Sequence, residues 1–282
     1  LTNAIYILFS TITTFFAAKN LNGKNKKIIL ITTIVLNVGI LLFMKLYLFG
    51  QEYITALQDV NILVPVGIAY YTLQVVSYII DVYKGRIEPQ ESFFKYLLYV
   101  IYIPYLFIGP INRYEDISKD LYAKRKIKSE NVWNGIIRIL WGLLKKFVIA
   151  GRISILISTI TGDTEIYKGA YALLAMLLYS IQLYSDFSGG IDIVIGASKI
   201  IGINLKENFN APYMAEDVKE FWRRWHISLS TWLKDYVYIP LGGNRCSKIR
   251  NKVNLIITFL ISGIWHGIHY LLWGLIHGIL VA

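Results

Sequence analysis

Nine apolar runs separated by short, mostly basic loops constrain this chain more than any other feature. They occupy residues 1–18, 28–50, 62–80, 96–110, 132–160, 169–185, 187–203, 253–270 and 271–282. A helix needs about 20 apolar residues to cross a bilayer core. The runs 1–18, 28–50, 62–80 and 253–270 meet that need, and 169–185 lies near its lower limit. Only 17% of the chain is charged, with a mean hydropathy of +0.50, whereas soluble domains run near ~25% charged. Seven Trp and 21 Tyr suit a pair of interfacial aromatic belts. The expected fold is all-α: one polytopic membrane domain over residues 1–282, with transmembrane, re-entrant and interfacial helices.

Loop charge orients the runs, because short loops rich in Lys and Arg stay cytoplasmic. Lys19, Lys24, Lys26 and Lys27 put the first loop inside, while residues 51–61, with Glu52 and Asp59 and no base, suit the outside. The run 96–110 is short, contains Pro104 and ends in Gly109-Pro110. If it crossed, the loop holding Arg113, Lys119, Lys124, Arg125, Lys126 and Lys128 would lie outside, against the charge rule. It is therefore expected to dip in and return. Lys145, Lys146 and Arg152 interrupt 132–160, which reads as an interfacial piece followed by an outward crossing. Residues 161–168, with Asp163 and Glu165, are then external, and 169–185 returns the chain to the cytoplasm. The run 187–203 carries Asp192, Gly189, Gly190, Gly196 and Gly202. It reads as re-entrant or packed inside the protein, since irregular backbone at depth must be sheltered; the alternative is a short tilted span.

The net charge of +11 would point to nucleic acid in a soluble protein. Here the bases sit between apolar runs, facing lipid headgroups, so the partner is membrane lipid and not nucleic acid. One cysteine, Cys246, excludes an internal disulfide framework and a cysteine-rich metal site. Residues 1–18 lack the basic start and small-residue cleavage site of a signal peptide. The missing initiator Met and the abrupt last run are those expected of a fragment.

Two Trp-His pairs carry the chemistry. Residues 219–236 read as one amphipathic interfacial helix, with Trp222, His226, Leu229 and Leu233 on one face and Arg224, Ser228, Thr231 and Asp235 on another. His226 is either an interfacial histidine bonded to a backbone carbonyl or a neutral base. His266, in Gly263-Ile264-Trp265-His266-Gly267, stands about 13 residues into an apolar run, roughly 20 Å along a helix and so near the bilayer midplane. Polar groups at that depth are costly and usually functional; the alternative is a packing histidine. His266, Tyr270, Trp273 and His277 would share one face, and Gly263 and Gly267 would admit a substrate or a neighbouring helix. His266 and His269 have metal-ligand spacing, but without a nearby carboxylate or thiolate no metal is expected. Asp186 would orient a histidine, pair with Arg223 or Arg224, or form a turn. Asn210 and Pro212 read as turn residues, with Asn210 a candidate substrate contact. Pro240-Leu241-Gly242-Gly243-Asn244-Arg245 is a turn or an anion cradle. There is no Gly-x-Ser-x-Gly elbow, Walker loop or dinucleotide fingerprint.

At these residues the chain resembles the membrane-bound O-acyltransferases, in the branch that includes alginate O-acetyltransferases. The resemblance runs through residues 208–213, 220–245 and 263–267, Trp273-Gly274 and His277-Gly278, with Gly109-Pro110-Ile111 and Ser185-Asp186-Phe187-Ser188-Gly189 upstream. It implies transfer of an acyl group from an activated cytoplasmic donor, acyl-CoA or an acyl-carrier thioester, toward a hydroxyl of a cell-surface polymer. It implies that His266 is catalytic and that His226 is the family's second histidine. Arg223, Arg224, Asp186, Asn210 and Trp265 become substrate contacts. No tightly bound cofactor is implied, and an extracellular acetyltransferase is the expected protein partner. His269-Tyr270 departs from the family, where small residues are more usual. D-alanyl transfer to teichoic acid is a sibling reading, and a non-enzymatic transporter or scaffold is the third. The expected location is the bacterial plasma membrane, multi-pass.

Overall fold

The computed structural model describes residues 2–58, 62–106 and 108–282, and all regular elements among these residues are helical. Leu1, Phe107 and Asp59, the last a charge used in the topology reading, lie outside the described residues. Helices α1 (Thr2–Lys19) and α2 (Lys26–Tyr53) pack on α4 (Ile68–Tyr83), with a single turn, α3 (Thr55–Gln58), before it. Eleven of the sixteen residues of α4 are buried, so it is the axis of the core. Tyr71 and Tyr78 on it, and Tyr96 and Tyr99 of α5 (Phe93–Ile101), are buried almost completely. A buried hydroxyl needs a partner: Tyr96 meets Thr14 Oγ1 (2.8 Å), Tyr78 accepts the Gln90 N–H (2.8 Å) and Tyr99 donates to the Asn112 carbonyl (3.0 Å).

Among the described residues α2 alone is long and apolar enough, by length and composition, to cross a membrane. Helix α5 (Phe93–Ile101) stops at Tyr102, followed by one turn, α6 (Ile103–Leu106). Its nine residues rise only about 13 Å, less than half a bilayer core of about 30 Å. It does not cross as one helix. After α7 (Tyr114–Tyr122) the chain enters its longest pair of rods.

Helix α8 (Ser129–Leu143), a π-helical segment (Leu144–Ala150) and α9 (Gly151–Gly162) form one unbroken rod, and α10 (Ala170–Ile200) returns beside it. This corrects two expectations. Lys145 and Lys146 do not break the rod, because α10 supplies their partners: Asp192 and the Ser188 hydroxyl (3.0 Å) for Lys145, Asp186 (2.6 Å) for Lys146. The runs 169–185 and 187–203 are halves of a single helix, and Asp186 lies within it. The glycines of 187–203 serve close packing instead of irregular backbone. A Cβ on Gly142 would stand 2.6 Å from the Gly189 carbonyl oxygen, and one on Gly135 would stand 2.6 Å from that of Gly196.

The expected helix over 219–236 is divided into α11 (Val218–Arg224) and α12 (Ile227–Leu233), with a π-helical segment (Lys234–Tyr238) after it. The break is at His226, whose φ of 45° and ψ of 52° are left-handed. Helix α13 (Lys248–His266) ends on its histidine. Gly267 is extended, one 3₁₀ turn follows (Ile268–Tyr270), and α14 (Leu271–Val281) folds back on α13. The expected single face of His266, Tyr270, Trp273 and His277 is thus divided by a chain reversal. Large apolar side chains, among them Phe43, Leu46, Phe147, Val148, Met176 and Leu272, cover the exterior. Surface of this kind faces lipid or another protein chain.

Candidate active site

His226 owes its position to Asn208. A left-handed non-glycine residue costs about 1–3 kcal/mol, and three contacts from Asn208 hold it. The Asn208 carbonyl accepts the Ile227 N–H (2.9 Å), and its side-chain Oδ1 accepts the Ser228 N–H (2.9 Å). The same amide lies 3.3 Å (Nδ2) and 3.4 Å (Oδ1) from His226 Nδ1. Asn208 is fully buried and His226 is 2% exposed, with no partner on Nε2 among the described residues. Phe187 packs edge-on against the imidazole at 4.9 Å. Burial pushes the His226 pKa down to about 3, and the neighbouring His266 adds to the shift, so the ring is neutral at pH 7.

His266 arrives from the other side. Its ring centroid is 6.4 Å from that of His226 and 4.7 Å from that of Trp265. The orphan carbonyl at the end of α13 is satisfied across the fold: Lys45 of α2 donates to His266 O at 2.9 Å. Helix α4 braces both histidine-bearing segments with two carbonyls one turn apart. Ala69 O accepts the Trp265 indole N–H (3.1 Å), and Leu73 O accepts that of Trp232 (2.9 Å).

Both histidines line a groove of about 910 Å³ whose walls include Phe187, Trp222, Leu229, Phe259, Ser262 and Trp273. Lys219, Arg223 and Lys234 also line it. A second cavity, of about 430 Å³, lies between α8 and α10, lined by Arg138, Lys145, Tyr184, Asp192 and Glu207. There Asp192 takes Arg138 (2.9 Å) and Lys145, and Arg138 also meets Glu207.

The structure brings His226, His266 and Arg223 together at the groove. Trp265 lies against both histidine rings, at 6.1 Å from His226, while its indole nitrogen is committed to Ala69. Arg224 is held by Glu220 (2.6 Å) and Asp186 by Lys146, so neither makes the pairing expected of it. Asn210 acts through its backbone, donating to the Arg224 carbonyl (2.9 Å). His269 contacts Glu52 (3.2 Å) and the Phe49 ring of α2. Sequence reasoning missed Asn208 and Lys45. Asn208 belongs to a stretch already singled out, in which Asn210 was chosen; a lysine within an apolar run was the available signal for Lys45.

The chain is similar to known proteins. The model of the membrane-bound O-acyltransferase family matches residues 89–282. The chain is 37% identical over 271 residues to a probable alginate O-acetylase of Pseudomonas syringae pv. tomato, covering 90% of this chain and 51% of that protein. It is 34% identical to a peptidoglycan O-acetyltransferase of Helicobacter pylori, over 91% of this chain and 55% of that one. It is 32% identical to a teichoic acid D-alanyltransferase of Bacillus subtilis, over 79% and 59%. The chain thus spans little more than half the length of these relatives. With the family model matched across more than two thirds of its residues, the chain belongs to the membrane-bound O-acyltransferase family.

Proposed function

We propose that this chain carries the reaction centre of a multi-pass plasma-membrane O-acyltransferase. The protein moves an acyl group, acetyl in the leading reading, from a cytoplasmic thioester toward hydroxyls of a cell-surface polysaccharide or peptidoglycan. The observation that carries the reading is the pair of imidazoles 6.4 Å apart on one groove, in a chain of this family. In the reaction the acceptor oxygen attacks the thioester carbonyl carbon, the carbon–sulfur bond breaks and a thiolate leaves. His266 takes the hydroxyl proton as the new bond forms and returns it to the thiolate. Such general-base assistance is worth about 10²–10⁴-fold. His226 stands behind it as the second histidine, and Arg223 meets the phosphate-bearing end of acyl-CoA or of an acyl-carrier arm. No tightly bound cofactor is needed, and an extracellular acetyltransferase would carry the group onward.

D-alanyl transfer to teichoic acid is the second reading. It is supported by relatives at 32% identity, against 37–41% for the alginate O-acetylases. The test uses membranes from cells expressing the full-length protein, supplied with labelled acetyl-CoA or a labelled D-alanyl carrier protein. Transfer of acetyl that falls by about 10²–10⁴-fold in His266→Ala, at matched expression, is the expected result. Transfer of D-alanine alone would select the second reading. Undiminished transfer by His266→Ala would remove His266 from the mechanism.

A further inference from the structure

We propose that Ser262 is a further catalytic residue: its hydroxyl donates a hydrogen bond to the carbonyl oxygen of the donor thioester while His266 takes the proton of the attacking hydroxyl. The inference rests on the acyl-transfer reading of the groove and adds to it the group that meets the charge the reaction generates.

Attack on a thioester carbonyl moves negative charge onto its oxygen, and a donor aimed at that oxygen usually supplies the largest single part of the catalysis. The serine and threonine side chains on the groove walls are those of Ser230, Thr231, Thr258 and Ser262. Three of them have given their proton to a backbone carbonyl. Ser230 donates to Trp225 O (3.3 Å), Thr231 to Ile227 O (2.8 Å) and Thr258 to Asn254 O (2.7 Å). Ser262, one turn beyond Thr258, makes no such bond, and its hydroxyl has no other partner among the described residues. Of the tyrosines on these walls, Tyr179 and Tyr270 are more than half exposed, and Tyr238 is paired with Asn251 (2.7 Å).

Ser262 is 4% exposed. Its oxygen is nevertheless not among the atoms sealed from outside, as His226 Nε2 is, and the groove is where it opens. A hydroxyl that deep in an apolar wall is costly to leave unpaired, and a ligand carbonyl in the groove pairs it. Its place on the helix fits that partner. Ser262 precedes His266 by four residues on α13, so the two share a face with Cβ atoms about 5–6 Å apart. A reacting carbonyl within about 3 Å of both side chains fits between positions so spaced.

The serine keeps its proton throughout. The acceptor oxygen bonds to the carbonyl carbon, its proton passes to His266, and the carbonyl oxygen takes the charge and the Ser262 hydrogen bond. When the carbonyl re-forms, the carbon–sulfur bond breaks, the thiolate takes the proton from His266, and the Ser262 hydroxyl is released.

The experiment compares full-length wild type, Ser262→Ala and Ser262→Cys in membranes at matched expression, supplied with labelled acetyl-CoA or a labelled D-alanyl carrier protein. Unfolding temperatures are measured on the same three proteins in lipid nanodiscs. Ser262→Ala should lower kcat by about 10²–10³-fold, the range for loss of one donor to an oxyanion, with KM nearly unchanged. It should unfold no lower than wild type, because alanine removes an unpaired hydroxyl and is the better helix former. A packing role would not give a slower protein that is equally stable. A thiol is a weak donor, so Ser262→Cys should be slow as well and should carry no label. Label held on Ser262→Cys as a thioester would make Ser262 a covalent acyl carrier and overturn the proposal. A lowered unfolding temperature for Ser262→Ala would overturn it too, by showing that the hydroxyl is spent on the fold. Full-rate transfer by Ser262→Ala removes Ser262 alone, whereas a wild type that transfers neither label removes the acyl-transfer reading and this proposal with it.

Discussion

Replacing Gly142 by alanine probes the tightest contact between the two longest rods. The added methyl would lie 2.6 Å from the Gly189 carbonyl oxygen, 2.9 Å from Ile193 Cγ1 and 3.0 Å from the Ile193 nitrogen. Two of these three neighbours are backbone, so no rotamer change relieves the clash. To restore an ordinary 3.4 Å contact the α8 and α10 axes must part by about 0.8 Å. Overpacking of this kind costs about 1–3 kcal/mol, while alanine returns at most about 1 kcal/mol of helix propensity. The net expectation is a loss of about 1–2 kcal/mol, the packing term winning. Parting the rods also stretches the Lys145–Asp192 and Lys146–Asp186 pairs, three and four residues beyond the crossing. A Cβ on Gly189 would stand 2.7 Å from the Gly142 carbonyl oxygen, so Gly189→Ala strains the same crossing. Once one methyl has parted the rods, the second costs less, and the double variant should lose about 0.5–3 kcal/mol less than the sum. Thermal unfolding of the full-length protein in lipid nanodiscs, for the two single variants and the double, measures this. A Gly142→Ala protein as stable as wild type, or more so, would mean that propensity alone operates and that the rods do not touch as described.

Three further perturbations separate buried charge from surface charge and test the neutral histidine. Asp192→Leu leaves Lys145 without its carboxylate in a site where Asp192 is 8% exposed, and should cost about 3–5 kcal/mol. Asp186→Ala removes a half-exposed pair with Lys146 and should cost under about 1 kcal/mol in the same unfolding assay. For His226 the folded protein holds its proton less tightly than the unfolded chain, so the unfolded state gains protons first as pH falls. Stability should therefore drop from pH 6.5 downward toward about 3, with a slope of up to about 1.4 kcal/mol per pH unit from this residue. Unfolding measured across pH should show that slope reduced in His226→Gln; an unchanged slope would mean that the ring is not buried neutral.

The site was more legible in the sequence than the path of the chain. His226, His266 and Arg223 stand out because a histidine beside tryptophan in an apolar setting has few inexpensive uses, and all three line the groove. The break at His226 left no local trace. Trp222, His226, Leu229 and Leu233 fit a helical face, and no glycine or proline interrupts them. What breaks the helix is Asn208, 18 residues upstream, and a tertiary contact of that kind has no periodicity. The glycines of 187–203 fit either a re-entrant segment or one packed inside the protein, and the structure shows the packed alternative within a continuous helix. Gly189 and Gly196 are spaced by seven, as are Gly135 and Gly142, and the matching of the two spacings marks a paired crossing. Likewise Lys145 seemed to end a helix only because Asp192, which neutralises it, lies on the next rod. The reversal at Gly267 was hidden because apolar residues run on both sides of it.

The two indoles that hang on α4 bear on where this family can be cut and rejoined. Trp265 and Trp232 anchor the two histidine-bearing segments to the carbonyls of Ala69 and Leu73, and Lys45 reaches the last carbonyl of α13. All three acceptor or donor groups on the other side of these bonds precede residue 89, where the family model begins to match. A chimaera joined at that residue would keep every histidine and yet seat them against a foreign wall. A functional exchange between relatives has its seam upstream of α2, so that the wall and the histidines it supports travel as one inheritance.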